Sequence, residues 1–414
     1  MGAWFRIAAR NLIKNKRRSL LTMLAIAFGY GAVNLFGGFT AYMYEGLREG
    51  AVYGTMRGHL TLFKEGFLEK GQLDPTAYLL SPEELQAVEA VCRCLPQVVL
   101  ATPQMGFTGL ISNGKVSTIF IGRGVMASAL REIWTRRFLT RVQEFDGRPL
   151  DDAVPDGVAV SRGLARLVDL KLDATAVVLA NTVDGLVNAL DVTVAQMIDV
   201  GASALEDKVL LAPLGFARSL LDTQGADRVV LLLERYEQTE TVRARLGAAL
   251  KQAGLPVEIR NWIELSPEYT RTKKMFDMIF FFVFVIVFVI VVMSVVNTMS
   301  MAVMERIREI GTLRALGLKR RGVLVLFGLE SLLLGLVGGV LGMGVTTLGW
   351  FWVKVAEPMW TPPTMVRPIP LKIFFVPEYL GFSWLVMVGL CLLASVVPAR
   401  RAARQNVVEA LGHV

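Results

Sequence analysis

The sequence predicts a membrane α-helical protein with four transmembrane helices and a large α+β extracytoplasmic domain between helices 1 and 2. Three observations carry that prediction. The chain has 414 residues, 53% of them hydrophobic, which is more than a soluble protein of this length holds. Four stretches of about 20 apolar residues stand in it, the length that crosses a hydrocarbon core. The surplus basic residues gather in the three segments that a four-span topology places on one side of the membrane.

The N-terminal segment, 1–19, carries Arg6, Arg10, Lys14, Lys16, Arg17 and Arg18 and no acid. The first span is expected at 20–42. Its apolar run is too long for a signal-peptide core, and no clear A-x-A site follows, so a retained helix is expected. Residues 43–272 form the outer domain, with helical stalks continuing the flanking spans. The second span is expected at 273–298, a charged cytoplasmic loop at 299–322, and the third span at 323–352. An outer loop at 353–379 has six prolines, which block helix and sheet and favour extended chain. Its Trp360, Phe374, Phe375 and Tyr379 suit a membrane–water interface. The fourth span, 380–397, is followed by a cytoplasmic tail, 398–414.

Residues 1–19, 297–322 and 398–414 together hold 15 Lys or Arg and 3 Asp or Glu, whereas the rest of the chain holds 29 and 33. The whole of the formal +8 therefore lies on one face, which the positive-inside rule makes the cytoplasm. Both termini are then inside and residues 43–272 outside. No nucleic-acid partner is needed to explain the basic balance.

Within the outer domain, GHLTLFKEG (58–66) reads as a strand. SPEELQAVEAVCRCL (81–95) has a Ser cap, Pro in the first turn, early acids and a helical apolar spacing at Leu85, Val88, Val91 and Leu95. FTGLISNGKVSTIFIGRG (107–124) reads as a hairpin with Asn113-Gly114 at the turn. GVAVSRGLARLVDLKLDATAVVLANT reads as a short helix and then strands. DRVVLLLERYEQTETVRARLGAALKQAGLPVEIRNW (227–262) reads as strand, helix, strand, half of a ferredoxin-like unit.

Catalytic chemistry is not legible. The chain has no G-x-S-x-G, no H-E-x-x-H and no phosphate-loop spacing. Its two histidines and three cysteines offer no metal spacing and no disulfide framework, and Cys92 and Cys94 are too close along a helix to pair. Asp151-Asp152 reads as a solvated turn. No cofactor is expected in this chain.

The loop between the second and third spans is the most informative stretch. On a helical wheel Val303, Ile307, Ile310 and Leu313 fall on one side, and Glu305, Arg308, Glu309 and Thr312 on the other. Gly311 and Gly317 are expected to bend the segment. One reading is an interfacial loop among lipid phosphates. The other is a short helix that docks into a cytosolic protein, which better accounts for Glu305 and Glu309 at an anionic leaflet.

MERIREIGTLRALGLKRRGVLVLFGLESLLLGLVGGVLG (304–342) resembles the signature of the FtsX-like permease family, which includes the MacB-type exporters and the lipoprotein-releasing LolC and LolE permeases. The matching residues are Glu305, Arg306, Arg308, Glu309, Ile310, Gly311, Arg314, Gly317, Glu330, Gly335, Gly338, Gly339 and Gly342. The opening WFRIAARNLIKNKRRSLLTML and the ending VVPARRAARQNVVEAL resemble the family more loosely. GVAVSRGLARLVDLKL resembles part of the MacB-type periplasmic core domain.

The resemblance implies a permease of an ABC transporter in the bacterial inner membrane, working by mechanotransmission. Its expected partners are an ABC ATPase dimer carrying ATP and magnesium, a second permease copy or paralogue, membrane lipid, and a periplasmic carrier or adaptor. Residues 308–317 would be the coupling helix, with Glu309 and Arg314 as ionic contacts and Ile310 and Leu313 as apolar anchors. Gly311 and Gly317 would permit close approach. MacB carries its ATPase on the same chain; here only 19 residues precede the first span, so a separate ATPase and a layout like LolC/LolE are expected. Lipoprotein extraction is the leading cargo reading. MacB-like efflux of peptides or macrolides and FtsX-like control of a cell-wall hydrolase are the alternatives.

Glu330 is expected to pair with a nearby Arg or Lys rather than to carry protons. Gly335, Gly338, Gly339 and Gly342 are expected to form one packing face, and Asn34 and Asn297 to make interhelical hydrogen bonds. By family analogy, Phe28, Leu35, Phe39, Phe280 and Phe284 would line a substrate cavity.

Overall fold

A computed structural model describes residues 2–71, 73–136, 145–199, 205–361 and 368–405. Residues 362–367 of the proline loop and the end of the tail, 406–414, lie outside the described residues. In chain order the elements begin with helices α1 (Gly2–Lys14) and α2 (Lys16–Glu49), then strand β1 (Leu60–Lys64). Helices α3 (Phe67–Lys70), α4 (Pro75–Tyr78) and α5 (Pro82–Arg93) follow, then β2 (Val98–Ser112), β3 (Ser117–Val125), α6 (Ala127–Thr135) and β4 (Asp146–Gly147). Next come β5 (Gly157–Ser161), α7 (Arg162–Leu167), β6 (Thr175–Asn181), β7 (Val187–Ile198), β8 (Val209–Pro213) and α8 (Leu214–Leu221). Strand β9 (Arg228–Leu233), helix α9 (Thr239–Gln252) and strand β10 (Val257–Asn261) end the outer domain. The remainder is α10 (Pro267–Glu305), α11 (Ile307–Ala315), α12 (Arg320–Ala356), the two-residue strands β11 (Met359–Trp360) and β12 (Ile369–Pro370), and α13 (Pro377–Arg404).

The chain divides into two units, one of residues 1–44, 273–359 and 370–414, the other of 45–272 and 360–369. In the first unit α2, α10, α12 and α13 are long and apolar enough to cross a membrane. Each is longer than the span read from its sequence, because the helix continues into polar residues at one or both ends.

In the second unit β1-α5-β2 and β9-α9-β10 make a four-stranded sheet in the order β10-β1-β9-β2, antiparallel throughout. That is the strand order of a complete ferredoxin-like unit. The half not recognised in the sequence is built from residues 60–104, the strand and capped helix read there as separate elements. Ser81 and Glu84 cap α5 reciprocally, satisfying two otherwise orphaned N–H groups. Leu60, Leu62, Leu85, Val88, Val229, Leu231, Val242, Leu246 and Leu250 fill the layer between sheet and helices.

Strand β2 is 15 residues long and serves two layers. Val98–Gln104 pairs with β9, whereas Met105–Ser112 pairs with β3 and, near its end, with β6. Everything between β2 and β9 is thus an insertion that grows from one extended strand. Its core includes Phe107, Phe120, Val158, Leu164, Val178, Val194 and Leu210. The hairpin turn is at Asn113-Gly114, with Gly114 at φ +84° and the Asn113 side chain accepting from the N–H groups of Lys115 and Val116. The stretch read as helix and then strands begins instead with the buried strand β5, whose five residues are too few to show a period of their own.

His59 is buried just before β1, and its Nδ1 accepts the Leu233 N–H at 3.2 Å. Burial, reinforced by Arg48 and Arg136, pushes the imidazole down to about 4. Its folded pKa lies below the ordinary 6.5, so neutral His59 stabilises the unit above that value and this contribution is lost as pH falls toward 4. Melting of the purified chain followed from pH 7 to 4 is expected to show a destabilising slope of up to about 1.4 kcal/mol per pH unit from this group. His59→Asn, which keeps the acceptor, should remove that part of the slope; an unchanged slope would assign it to the carboxylates instead.

Candidate coupling site at the α11 end of the helical unit

The site begins where α10 stops. Arg306 leaves helical geometry at φ −118°, ψ 19°, and α11 restarts at Ile307. The bend expected at Gly311 is therefore at Arg306. Gly311 lies inside α11 and is buried, so it does not interrupt the helix. Gly317 instead ends α11. It stands at φ +101°, its N–H bonds the Arg314 carbonyl and the Leu318 N–H bonds that of Leu313, a left-handed cap that favours glycine. A Cβ built on Gly317 would meet no atom within 4 Å. Its role in this chain is backbone conformation.

The reason for the break at Arg306 is a buried ion pair. Arg306 Nη1 donates to Glu330 Oε1 at 3.0 Å, with side-chain exposures of 9% and 2%. Arg306 Nη2 donates to the Asn11 carbonyl at 3.2 Å, and Asn11 Nδ2 donates to the same Glu330 oxygen at 2.6 Å. One carboxylate on α12 thus joins α1, α12 and the α10–α11 break. Glu305 points another way. It accepts a two-pronged contact from Arg18, at 2.7 and 3.2 Å, and a third bond from Asn15 at 3.3 Å.

Arg306 is therefore an internal residue, and Glu305 is engaged by its own chain. Both were expected in the coupling helix; Arg306 is the non-helical residue just before α11, and Glu305 ends α10 with 41% of its side chain exposed. Ile307 and Ile310 are each 5% exposed and sit against the helical core, so Ile310 anchors α11 to its own unit rather than to a partner. The outward face consists of Arg308, Glu309, Thr312, Leu313 and Leu316. Leu313 is 43% and Leu316 80% exposed. Glu309 pairs with Lys14 at 3.8 Å with both side chains open to water, a pairing of little energetic weight. Arg314 donates to the Gln405 carbonyl.

Above the site the glycine run of α12 has two faces, not one. A Cβ on Gly338 or Gly342 would meet Ile26 at 2.8 Å or Tyr30 at 2.7 Å on α2. A Cβ on Gly335 or Gly339 would instead strike Cys391 or Trp384 on α13. The two i, i+4 pairs are offset around the helix, so α12 is gripped from both sides. Asn34 Oδ1 accepts from Ser383 Oγ at 3.0 Å, linking α2 to α13. Asn297 is exposed; a buried polar contact between α2 and α10 is made by Thr22 and Thr298, 2.5 Å apart.

The five residues expected to line a cavity lie on α2 and α10, the two spans that the family analogy sets against those of an opposing subunit. Phe39 meets Phe276, and Phe280 stacks on Phe36 at 6.0 Å, forming an aromatic seam between α2 and α10. Leu35 turns instead to α12, into the room left by Gly349. Phe28 is 62% exposed, and Phe284 is half-buried.

Asn11, Asn15, Arg18 and Thr22 were not singled out in the sequence. They recur at i, i+4, i+7 and i+11, one stripe of a helix, and helical hydrogen bonds continue from α1 into α2 through Asn15. That polar stripe on a basic, otherwise apolar segment was the available signal.

Residues 281–407 match the model of the FtsX-like permease C-terminal domain. An uncharacterized ABC transporter permease of Methanocaldococcus jannaschii is 32% identical over 124 residues, 28% of this chain and 28% of that protein. The macrolide export ATP-binding/permease protein MacB of Escherichia coli K12 is 36% identical over 117 residues, 28% of this chain and 16% of that protein. The matches thus span less than a third of these relatives' length. Among solved structures, the periplasmic region of MacB from Actinobacillus actinomycetemcomitans aligns at TM-score 0.36 and 12% identity, covering 50% of this chain and 91% of that one. The extracellular domain of the ABC-type transporter YknZ from Gram-positive bacteria aligns at TM-score 0.34 and 14% identity, covering 49% and 99%. The matched segment, 281–407, contains α11 and the Arg306–Glu330 pair.

Glu330→Leu leaves the Arg306 charge buried without its partner, a loss of about 3–5 kcal/mol. Thermal denaturation in detergent should show a large drop for that variant, with more than half of it recovered in Glu330→Leu/Arg306→Met. If the double variant is as unstable as the single one, the carboxylate matters for a reason other than pairing.

Proposed function

We propose that this chain is the membrane-spanning permease subunit of an ABC transporter, driven by a partner ATPase that docks on the outward face of α11. The observation that carries the reading is the construction of that helix. Ile307 and Ile310 fix one side to the helical core, and the other offers Glu309, Thr312, Leu313 and Leu316 to a partner. A helix that only rested on lipid would turn its apolar side outward and carry few acids. The name of the MacB relatives, which joins ATP-binding to permease, supports the pairing with an ATPase. ATP and magnesium would then bind in the partner, since this sequence has no phosphate-binding loop.

Helix α10 supports a second permease copy in the assembly. Its buried residues, Val291, Val295, Thr298, Met299, Ala302 and Val303, all lie toward the α11 end. The other half exposes Met278, Phe281, Phe282, Val285, Ile286 and Val289, a surface for lipid or for another copy. The cargo reading is extraction of a lipoprotein or another amphipathic molecule from the bacterial inner membrane, by motion passed to the outer domain. The second cargo reading is export of macrolides or peptides with an adaptor; the MacB relatives are named for macrolide export.

The test is a mild-detergent pull-down of the tagged chain from its native membrane, wild type beside Glu309→Arg and Leu316→Asp. An ABC ATPase should copurify with wild type and fall at least tenfold with either variant, while chain yield and melting stay the same because both positions are exposed. An ATPase that is absent from the wild type in several detergents sinks the proposal.

A further inference from the structure

The helix that would carry a push from α11 into the membrane is interrupted. At Arg306 the chain departs from helical geometry, and its N–H bonds the Val303 carbonyl in a tight turn rather than the next residue back. A displacement of α11 cannot travel up α10 as along one rod. What crosses the break is a set of short polar contacts, and they lead elsewhere: Arg306 to Glu330 on α12 and to the Asn11 carbonyl on α1, Glu305 to Arg18 at the start of α2 and to Asn15 between α1 and α2.

We propose that the N-terminal helix α1 together with the start of α2, with Asn11 on the first and Arg18 on the second as positioning residues, is part of the coupling machinery and passes movement of α11 to α2 and α12. This rests on the reading of α11 as the ATPase-docking helix. Three features of the geometry carry it. The contacts are short and charge-assisted, and the Arg18–Glu305 pair is two-pronged, which fixes orientation as well as distance. The inner pair is dry and therefore stiff, because breaking it strands a charge. Asn11 closes the triangle, since its carbonyl and its side chain hold the two members of that pair at once. Helix α1 also exposes Phe5, Ile7 and Ile13 beside Arg6 and Arg10, the composition of a helix lying at a membrane surface. It would thus brace the break against the bilayer.

The test uses the full chain with its ATPase in lipid nanodiscs. Spin labels are placed at Lys274→Cys and Glu357→Cys, exposed positions at the ends of α10 and α12 remote from the break, and the exposed Cys94 is replaced by serine. The readout is the change in label separation when ATP is added. With Arg18→Glu or Asn11→Ala the ATPase should still copurify within twofold of wild type, and the ATP-dependent change should fall by at least half. Arg18→Glu/Glu305→Arg should restore it. The Arg18–Glu305 pair is partly exposed, so these variants do not depend on tolerating a buried charge.

An unchanged response in both single variants overturns the proposal. So does loss of the ATPase with Arg18→Glu, which would make the pair part of the docking surface, and so does failure of the exchange to rescue. If the wild type itself binds no ATPase, the docking reading of α11 fails first, and that outcome is seen in the copurification before any label is read.

Discussion

A carboxylate inside a long apolar helix must be matched, and Glu330 is matched by the guanidinium of Arg306, the residue at which α10 gives way to α11. Burying either charge alone costs several kcal/mol. Bringing Arg306 to Glu330 therefore competes with continuing α10, and the continuous helix gives way. From that follow the separate α11, the direction in which its apolar side faces, and the role of α1, whose Asn11 supplies both a carbonyl to Arg306 and an amide to Glu330. Left-handed Gly317 then closes α11 and lets the chain turn into α12.

Helix α12 is central to the helical unit for a second reason. Lipid offers no hydrophobic drive to hold helices together, so close approach and interlocked shape must do it. Two offset glycine pairs let Ile26 and Tyr30 of α2 lie on one side and Cys391 and Trp384 of α13 on the other. The same helix holds Glu330. Electrostatic anchoring at one end and close packing along the rest thus fall on one element, leaving α10 with its buried residues toward α11 and, beyond them, an aromatic seam with α2 beside an exposed apolar surface.

The outer domain solves a different problem. A ferredoxin-like unit needs its second and third strands side by side, yet here more than a hundred residues separate them. Strand β2 accommodates this by running on past β9, so that its second half seeds a further sheet while its first half completes the four-stranded one. The insertion can fold on its own core without disturbing the register of the parent sheet.

The sequence by itself determined the four long apolar helices, the α+β domain between the first two, the capped helix α5, the β9-α9-β10 unit and the resemblance at 304–342. These are local properties: run length, capping residues and periodicity are set by neighbours along the chain. Which face of a short helix is buried, where a helix breaks and which glycines oppose which side chains were decided by tertiary structure alone. Glu305, Arg306, Ile310 and Leu313 look equally available on a helical wheel. Only the positions of Asn11 and Glu330, up to 295 residues away from the break, turn Arg306 inward, while Glu305 stays at the surface paired with Arg18 and Leu313 lies outside. A period of 3.6 residues states that a helix has two faces; the partners that choose between them are remote in sequence, and charge pairing in a dry interior makes that choice strict.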